Sequence, residues 1–593
     1  MKQPSILLTG TVMALLLFAV ACQSPTPAPM EKATATTPAD DHQWWKEAVV
    51  YQIYPRSFQD SNGDGVGDIP GIISRLDYVK SLGIDVVWLN PIYSSPNDDN
   101  GYDISDYQNI MTEFGTMADF DSLLKEMHSR KLKLVMDLVV NHCSSEHEWF
   151  KQSRSSRDNP YRDYFHWWPA EKGKPAKRFS FFDVHSDAWK LDPKTNAYYL
   201  HYFSQKQPDL NWENPKVREE IFSMMRFWFD KGVDGFRMDV IPFISKDTTY
   251  PELPAQYHGD MVKYYANGPH LHEYLQAMNR EVLSKYPIMS VAEGIGVSTD
   301  DALQFVDADR HELDMLYHFE GVSIGYLPNQ FKVPDPKGFS LLEFKQVYSK
   351  WDSVFAQKGW GTVYLGNHDQ PRMVTRWGND SPEFRELSSK MLTTFLMTMR
   401  ATPYYYLGDE LGMNNIKFDR IEDYQDIESR NMYAKAKAAG QDLKKFLAAQ
   451  KISARDNGRT PFQWDASDNA GFSTAKPWLK VNPNYMTVNV AAEEKDPNSV
   501  LNYFRKIVQL RKGDKTLVYG KYTLLDAGNP DVYAYLRENE GRKVLVLLNF
   551  RATPSTTNLG MDISKGRVLI GNYPAGGSPS LTLRPYEAVV MEL

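Results

Sequence analysis

Only two cysteines occur in 593 residues, Cys22 and Cys143. That number excludes a disulfide framework, and no cysteine pairs stand at zinc-ligand spacing. A surplus of positive charge is also missing. The net charge is −8 and the pI about 6.0, which argues against the basic face of a nucleic-acid binder. Heptads and solenoid repeats are absent. The apolar run near the start, ILLTGTVMALLLFAVA, has 16 residues and is too short for a comfortable membrane span.

What is present begins with that run. Lys2 precedes it and small residues close it, the pattern of a secretory signal peptide over residues 1–22. The closing AVAC resembles a bacterial lipoprotein box, with Cys22 as the lipidated first residue of the mature chain. A Pro/Thr/Ala tract over 23–43 reads as a flexible linker. The expected location is therefore exported, periplasmic or cell-envelope, with a lipid anchor as the membrane contact. With Cys22 outside the folded part, Cys143 has no disulfide partner within it.

From Trp44 short apolar strands alternate with amphipathic helical stretches: AVVYQIYP, IDVVWLNPI, LKLVMDLVVNH, DGFRMDVI, IMSVAEG, LDMLYHF, WGTVYLGNHD and TPYYYLG. Eight such strands predict an α/β fold, a (β/α)8 TIM barrel over 44–142 and 211–516. The stretch 143–210, rich in aromatic residues, is too long for an ordinary loop and reads as a small inserted domain after strand three. From 517 to 593 alternating strands predict a C-terminal antiparallel β domain.

In GFRMDVIPF (235–243), Phe236, Met238 and Val240 would face one way and Arg237 and Asp239 the other. Charged residues on a strand in apolar surroundings need a reason. Barrel enzymes carry their chemistry at the C-terminal ends of the strands. That rule selects Asp137 and His142 after strand three, Arg237 and Asp239 on strand four, Glu293 after strand five, and His368 and Asp369 after strand seven. A helix-capping role explains a single strand-end Asp about half the time, but not acids on four strands at once. Two carboxylates suit acetal cleavage, one attacking the anomeric carbon while the other moves the proton. Arg237 is placed to keep Asp239 ionised.

DLVVNH (137–142), GFRMDV (235–240), VAEG (291–294) and GNHDQPR (366–372) resemble the four signature regions of the α-amylase family of glycoside hydrolases, family 13. QPDLN (207–211) resembles a fifth region as found in its oligo-1,6-glucosidase and α-glucosidase subfamily. The resemblance extends from Trp44 to the C-terminus. It implies Asp239 as nucleophile, Glu293 as general acid/base and Asp369 as transition-state stabiliser. It also implies Asp103, His142, Arg237, His368 and Arg459 around the terminal glucose. Retention of configuration through a glucosyl-enzyme follows, with a carboxyl separation of about 5 to 5.5 Å. The expected activity is exo-acting release of glucose from short oligosaccharides. Val240 after the nucleophile accompanies α-1,6 preference in the subfamily, while Pro242 departs from its common Asn.

DSNGDGVGD (60–68) places Asp60, Asn62 and Asp64 at alternate positions before a glycine, like the first half of an EF-hand loop. The resemblance implies one structural Ca²⁺, or Mg²⁺, held by Asp60, Asn62, Asp64, the Val66 carbonyl and Asp68. Alternative activities are sucrose isomerase or another α-glucosyl transferase, trehalose synthase or α-1,4-glucosidase. The interval IGYLPNQFKVPDP lacks the arginines that typically precede the NHD motif in sucrose isomerases. From another class, an inactive sugar-binding protein is the alternative.

Overall fold

A computed structural model describes residues 44–183, 187–258, 260–328, 332–573 and 580–593. The signal peptide, Cys22 and the 23–43 linker lie outside the described residues. Among the described residues eight parallel strands form one sheet: β1 (Val50–Ile53), β2 (Val86–Leu89), β3 (Lys133–Val139), β4 (Gly235–Asp239), β5 (Met289–Gly294), β6 (Met315–His318), β7 (Thr362–Val363) and β8 (Thr402–Tyr406). Neighbours run β6-β5-β4-β3-β2-β1-β8-β7. A parallel bridge from Leu316 to Gly361 closes the ring between β6 and β7. Each strand predicted from the sequence is present.

Alternation along the strands sorts the side chains into two layers. Val50, Val86, Trp88, Val135, Met289, Val291, Met315, Tyr317 and Tyr404 form the barrel interior. Tyr51, Val87, Leu134, Met136, Phe236, Met238, Ala292 and Leu316 face outward, under the helices. Gln52, Asp137, Arg237, Asp239 and Glu293 continue the inward set, so the strand period itself delivers them to the mouth.

The helix Pro215–Lys231 fixes β4 from outside. Asn214 caps it by accepting from the Lys216 N–H, Pro215 occupies the first turn, and Gly232 ends it in the left-handed region at φ 107°. Its Phe229 ring lies 4.9 Å from Phe236 of β4. Truncating a ring buried in this way costs about 3–5 kcal/mol. The strand expected to run through DGFRMDVI stops at Asp239, because Val240 turns into the left-handed region at φ 35°, ψ 36°.

Between β3 and β4 the insertion carries a three-stranded antiparallel sheet, Trp167–Pro169, Ala197–Leu200 and Trp189–Asp192 in spatial order. At the C-terminus Lys521–Leu525, Val532–Asn539, Arg542–Asn549, Ala588–Glu592 and Arg567–Gly571 form an antiparallel sheet in that order. It packs against the helices Leu341–Lys358, Arg385–Thr398 and Lys515–Tyr519.

Candidate active site

Arg237 is the hub of the barrel mouth. Its Nη1 lies 2.6 Å from Asp137 Oδ1 and 2.7 Å from Asp239 Oδ1, and its Nη2 lies 2.5 Å from Glu293 Oε1. The guanidinium is 1% exposed and stands 5.1 Å from the Trp88 ring centroid. The strand carries Arg237 and Asp239 inward because one buried cation serves three buried carboxylates. Trp88 Nε1 and the Tyr102 hydroxyl donate to Asp137 Oδ2 at 3.1 and 2.9 Å, so Asp137 is saturated and anchors the arginine. Asp137 and Glu293 sit inside β3 and β5 rather than beyond them, and Asp239 ends β4.

One guanidinium cannot neutralise three carboxylates. Burial pushes the Asp239 carboxyl well above the usual range; Arg237 opposes this, while the Glu293 and Asp137 charges add to the rise. Burial likewise raises Glu293 against the opposition of Arg237. Arg237 thus acts in the expected direction on Asp239, but against burial and two neighbouring carboxylates. The three carboxyls are close enough that their titration belongs to the group. Val240 contributes through its backbone. In its left-handed conformation its N–H donates to Glu293 Oε2 at 2.8 Å, a strained placement for a β-branched residue.

Asp369 lies on the far side of the pocket. Arg455 Nη1 and Arg459 Nη2 donate to its Oδ1 at 3.1 and 3.0 Å. Burial works against its charge, but His368, Arg455 and Arg459 outweigh it and hold the carboxyl well below the usual range. His368 follows β7 by five residues. Gln52 Nε2 contacts its Nδ1 at 2.8 Å and the Tyr102 hydroxyl contacts its Nε2 at 2.7 Å. The amide donates, and the Tyr102 proton is committed to Asp137. The network therefore assigns a neutral His368 carrying its proton on Nε2. Burial also pushes the imidazole well below its usual value.

The closed end of the pocket holds residues that sequence reasoning missed. Arg455 Nη2 reaches Asp99 Oδ1 at 3.2 Å and also binds Asp426. Gln207 Nε2 donates to Asp99 Oδ2 at 3.1 Å and meets His142 Nε2 at 3.2 Å. The Phe182 ring covers Arg455, with the guanidinium carbon 5.0 Å from its centroid. Burial raises Asp99 to about 7 against Arg455 and Arg459, and lowers His142 to about 3.

Asp103 is placed differently from the expectation. It is fully buried, and its oxygens accept from Ser95 Oγ and from the backbone N–H groups of Asp98 and Asp99 at 2.9–3.1 Å. It shapes the loop that presents Asp99 and does not itself reach the arginines. The sequence offers SPNDDNGYD with three acids, and nothing in the spacing tells which one the turn points inward. Arg459 does reach Asp369, but the RDNGR segment supplies Arg455 as well.

Asp239, Glu293, Asp369, His142, Arg237, Val240, His368 and Arg459 therefore meet in one pocket, joined by Asp99 and Arg455. The side chains of Asp239 and Glu293 are 10% and 7% exposed and that of Asp369 is 29%.

The 60–68 loop stands apart from this pocket. Asp60 Oδ1 accepts from the Asn62 and Gly63 N–H groups, and its Oδ2 from Gly65 N–H and Ser473 Oγ. Asn62 and Asp64 each accept from the N–H two residues on, and Asp68 caps the helix Ile69–Ser74 through Gly71. Gly65 (φ 92°) lies so close to the Lys476 carbonyl that a Cβ would come within 2.2 Å of its oxygen. The donor set of Asp60, Asn62, Asp64, Val66 and Asp68 is all oxygen, as a hard cation requires. Even so, no group of three or more His, Cys, Asp or Glu converges as a metal cage among the described residues. Four protein donors already saturate Asp60.

Comparison with known proteins gives the family of the chain. The alpha-amylase catalytic domain matches residues 52–520, and the maltogenic amylase C-terminal domain matches 522–590. The chain belongs to the α-amylase family, family 13 of the glycoside hydrolases, and is an enzyme of that class. It is 50% identical to the oligo-1,6-glucosidase of Bacillus cereus over 560 residues, 93% of this chain and 100% of that one. It is 45% identical to the trehalose-6-phosphate hydrolase of Bacillus subtilis, over 93% of this chain and 98% of the relative. Among solved structures, the isomaltulose synthase of Protaminobacter rubrum superposes with a TM-score of 0.90 at 44% identity, covering 93% of this chain and 99% of that one.

Proposed function

We propose that the protein is a retaining, exo-acting α-glucosidase that removes terminal glucose from short oligosaccharides, with preference for α-1,6 bonds as in isomaltose and panose. Asp239 attacks the anomeric carbon while Glu293 protonates the departing oxygen. Glu293 then takes a proton from the water that releases glucose. Asp369, held ionised, binds sugar hydroxyls, and Asp99 with Arg455 holds the non-reducing end. The observation that carries the reading is the single Arg237 guanidinium shared by Asp239 and Glu293. A spacing that one guanidinium can span suits the close-set carboxyl pair of retaining enzymes rather than the wider inverting pair.

The test is incubation with isomaltose, panose, maltose, sucrose and trehalose 6-phosphate, following released sugars. Glucose from isomaltose and panose, faster than from maltose, supports the reading. Isomaltulose from sucrose with isomaltose untouched would establish the second reading, a sucrose isomerase, which the likeness to an isomaltulose synthase motivates. No product from any substrate would leave an inactive sugar-binding protein.

Two further parts of the proposal concern the rest of the chain. Ca²⁺, or Mg²⁺ in its place, is proposed as a structural ligand of the 60–68 loop. A rise in Tm on adding Ca²⁺ to chelator-treated protein, absent in Asp64→Ala, supports it, and no rise refutes it. Export with a lipid on Cys22 is proposed from the N-terminal segment. Palmitate labelling of cells should mark the parent chain and not Cys22→Ala.

A further inference from the structure

Beside the loop that presents Asp99 lies a cavity of about 480 Å³, lined in part by Asp98 and Asn100 on either side of that residue. Its lining is chemically distinct from the rest of the surface. Four carboxamides face it, from Asn97, Asn100, Gln425 and Asn431, together with the half-buried Trp478. Asn97 Oδ1 is buried without a hydrogen-bond partner. Asn97 and Asn100 both hold left-handed backbone, at φ 66° and 49°. An unpaired buried acceptor costs free energy unless something donates to it. Two asparagines in left-handed backbone place their amides where an ordinary turn would not.

The carboxylate at the cavity has its cation, while one further cation is held by neutral acceptors only. Lys206 pairs with Asp98 at 2.8 Å, and Asp98 also accepts from Ser204. Arg430 spends its Nε on the Tyr424 carbonyl and its Nη2 on Gln425 Oε1, at 2.7 and 2.8 Å. Arg430 pairs with no carboxylate among the described residues, so it has a donor left for a ligand oxygen. The rest of the lining suits a neutral ligand with many hydroxyls and a flat apolar face, the hydroxyls pairing with carboxamides and the face resting on Trp478. The indole is steadied for this by its bond to Ser57 Oγ at 3.1 Å and by Arg56, 5.7 Å from its centroid.

We propose that this cavity is a second, non-catalytic binding site for a neutral gluco-oligosaccharide of one or two rings. Its links to the catalytic pocket run through Asp98 and Asn100, which flank Asp99, and through Asn431, which donates to the carbonyl of Phe182, whose ring covers Arg455. The inference rests on the oligosaccharide reading only for the choice of probe.

The test is calorimetric titration of full-length Asp239→Asn protein, which binds without turnover, using isomaltotriose. Two sites per chain are expected. Adding Asn97→Gly, which tolerates the left-handed backbone but removes the acceptor, and Arg430→Ala should reduce the stoichiometry to one. The same two substitutions in the active parent should leave kcat and KM for a nitrophenyl glucoside unchanged, which separates site loss from misfolding. One site in the starting protein overturns the proposal. So does a second site that survives both substitutions, or inorganic phosphate binding there in place of the sugar. Failure of the α-1,6 reading would appear in the product assay, not in this stoichiometry.

Discussion

Replacing Arg237 by methionine isolates the electrostatics of the site. The side chain is 1% exposed and is shared by Asp137, Asp239 and Glu293. Its loss leaves three buried carboxylates with no cation among them. At an effective dielectric of about 20 and a charge separation of roughly 4 Å, the attraction lost by Asp239 is about 4 kcal/mol. At about 1.4 kcal/mol per unit, its pKa rises by about 3 more units. A nucleophile must be ionised, so kcat/KM at neutral pH should fall about 1000-fold and the acid limb of the profile should move upward by a similar number of units. Arg237→Lys keeps the charge but cannot span both acids, and should fall between parent and methionine variant. The assay is kcat/KM on a nitrophenyl glucoside across pH, with circular dichroism to show a folded chain. Removing one partner of a buried ion pair also costs about 3–5 kcal/mol of stability, so the measurement belongs well below the variant's Tm. A folded methionine variant within tenfold of the parent, with an unmoved acid limb, would refute the reasoning.

The neighbouring residues yield sharper contrasts. Asp99→Ala removes a partner of Arg455 at the closed end and should raise KM for isomaltose by about 100-fold, whereas Asp103→Asn should lower Tm and leave KM near the parent value. Lys246 is buried between Asp209 at 3.2 Å, Asn141 at 2.7 Å and the Phe243 carbonyl at 2.9 Å, tying the loop after β4 to the insertion and to the end of β3. Lys246→Met should raise KM more than it lowers kcat, measured on isomaltose. Glu493 supplies a pH test of stability. Burial lifts it to about 8, opposed by Arg385, from the ordinary glutamate value of 4.5. The folded chain then keeps a proton that the unfolded chain releases, and stability is lost as pH climbs between those values. Glu493→Gln should narrow the fall in Tm between about pH 5.5 and 8.5 by several degrees.

The barrel was legible because its strands repeat with period two and its helices with their own caps and periods. The same period carried Asp137, Arg237, Asp239 and Glu293 to one mouth, so a strand-end rule could find them from spacing alone. It failed where backbone leaves the period. Val240 reads as one more strand residue, yet its left-handed turn is what aims an N–H at Glu293. Asp98, Asp99 and Asp103 differ only in how a loop turns, and that turn is set by Ser95 and by the buried Asp103 itself. Arg455 and Arg459 are four apart on an irregular segment, and contacts with the loop after β7 and with the insertion bring both to Asp369. The upward shift of the buried acids was invisible too, because Arg237 was paired in sequence with one neighbour while in space it serves three carboxylates.

The account rests most directly on Asp239 as the atom donor to a glucosyl-enzyme. A fluorinated α-glucosyl fluoride should label the protein once per chain, and peptide mass spectrometry should find the sugar on the segment 235–243, at Asp239. A label on Glu293, or turnover that proceeds with inversion and leaves no adduct, would contradict it.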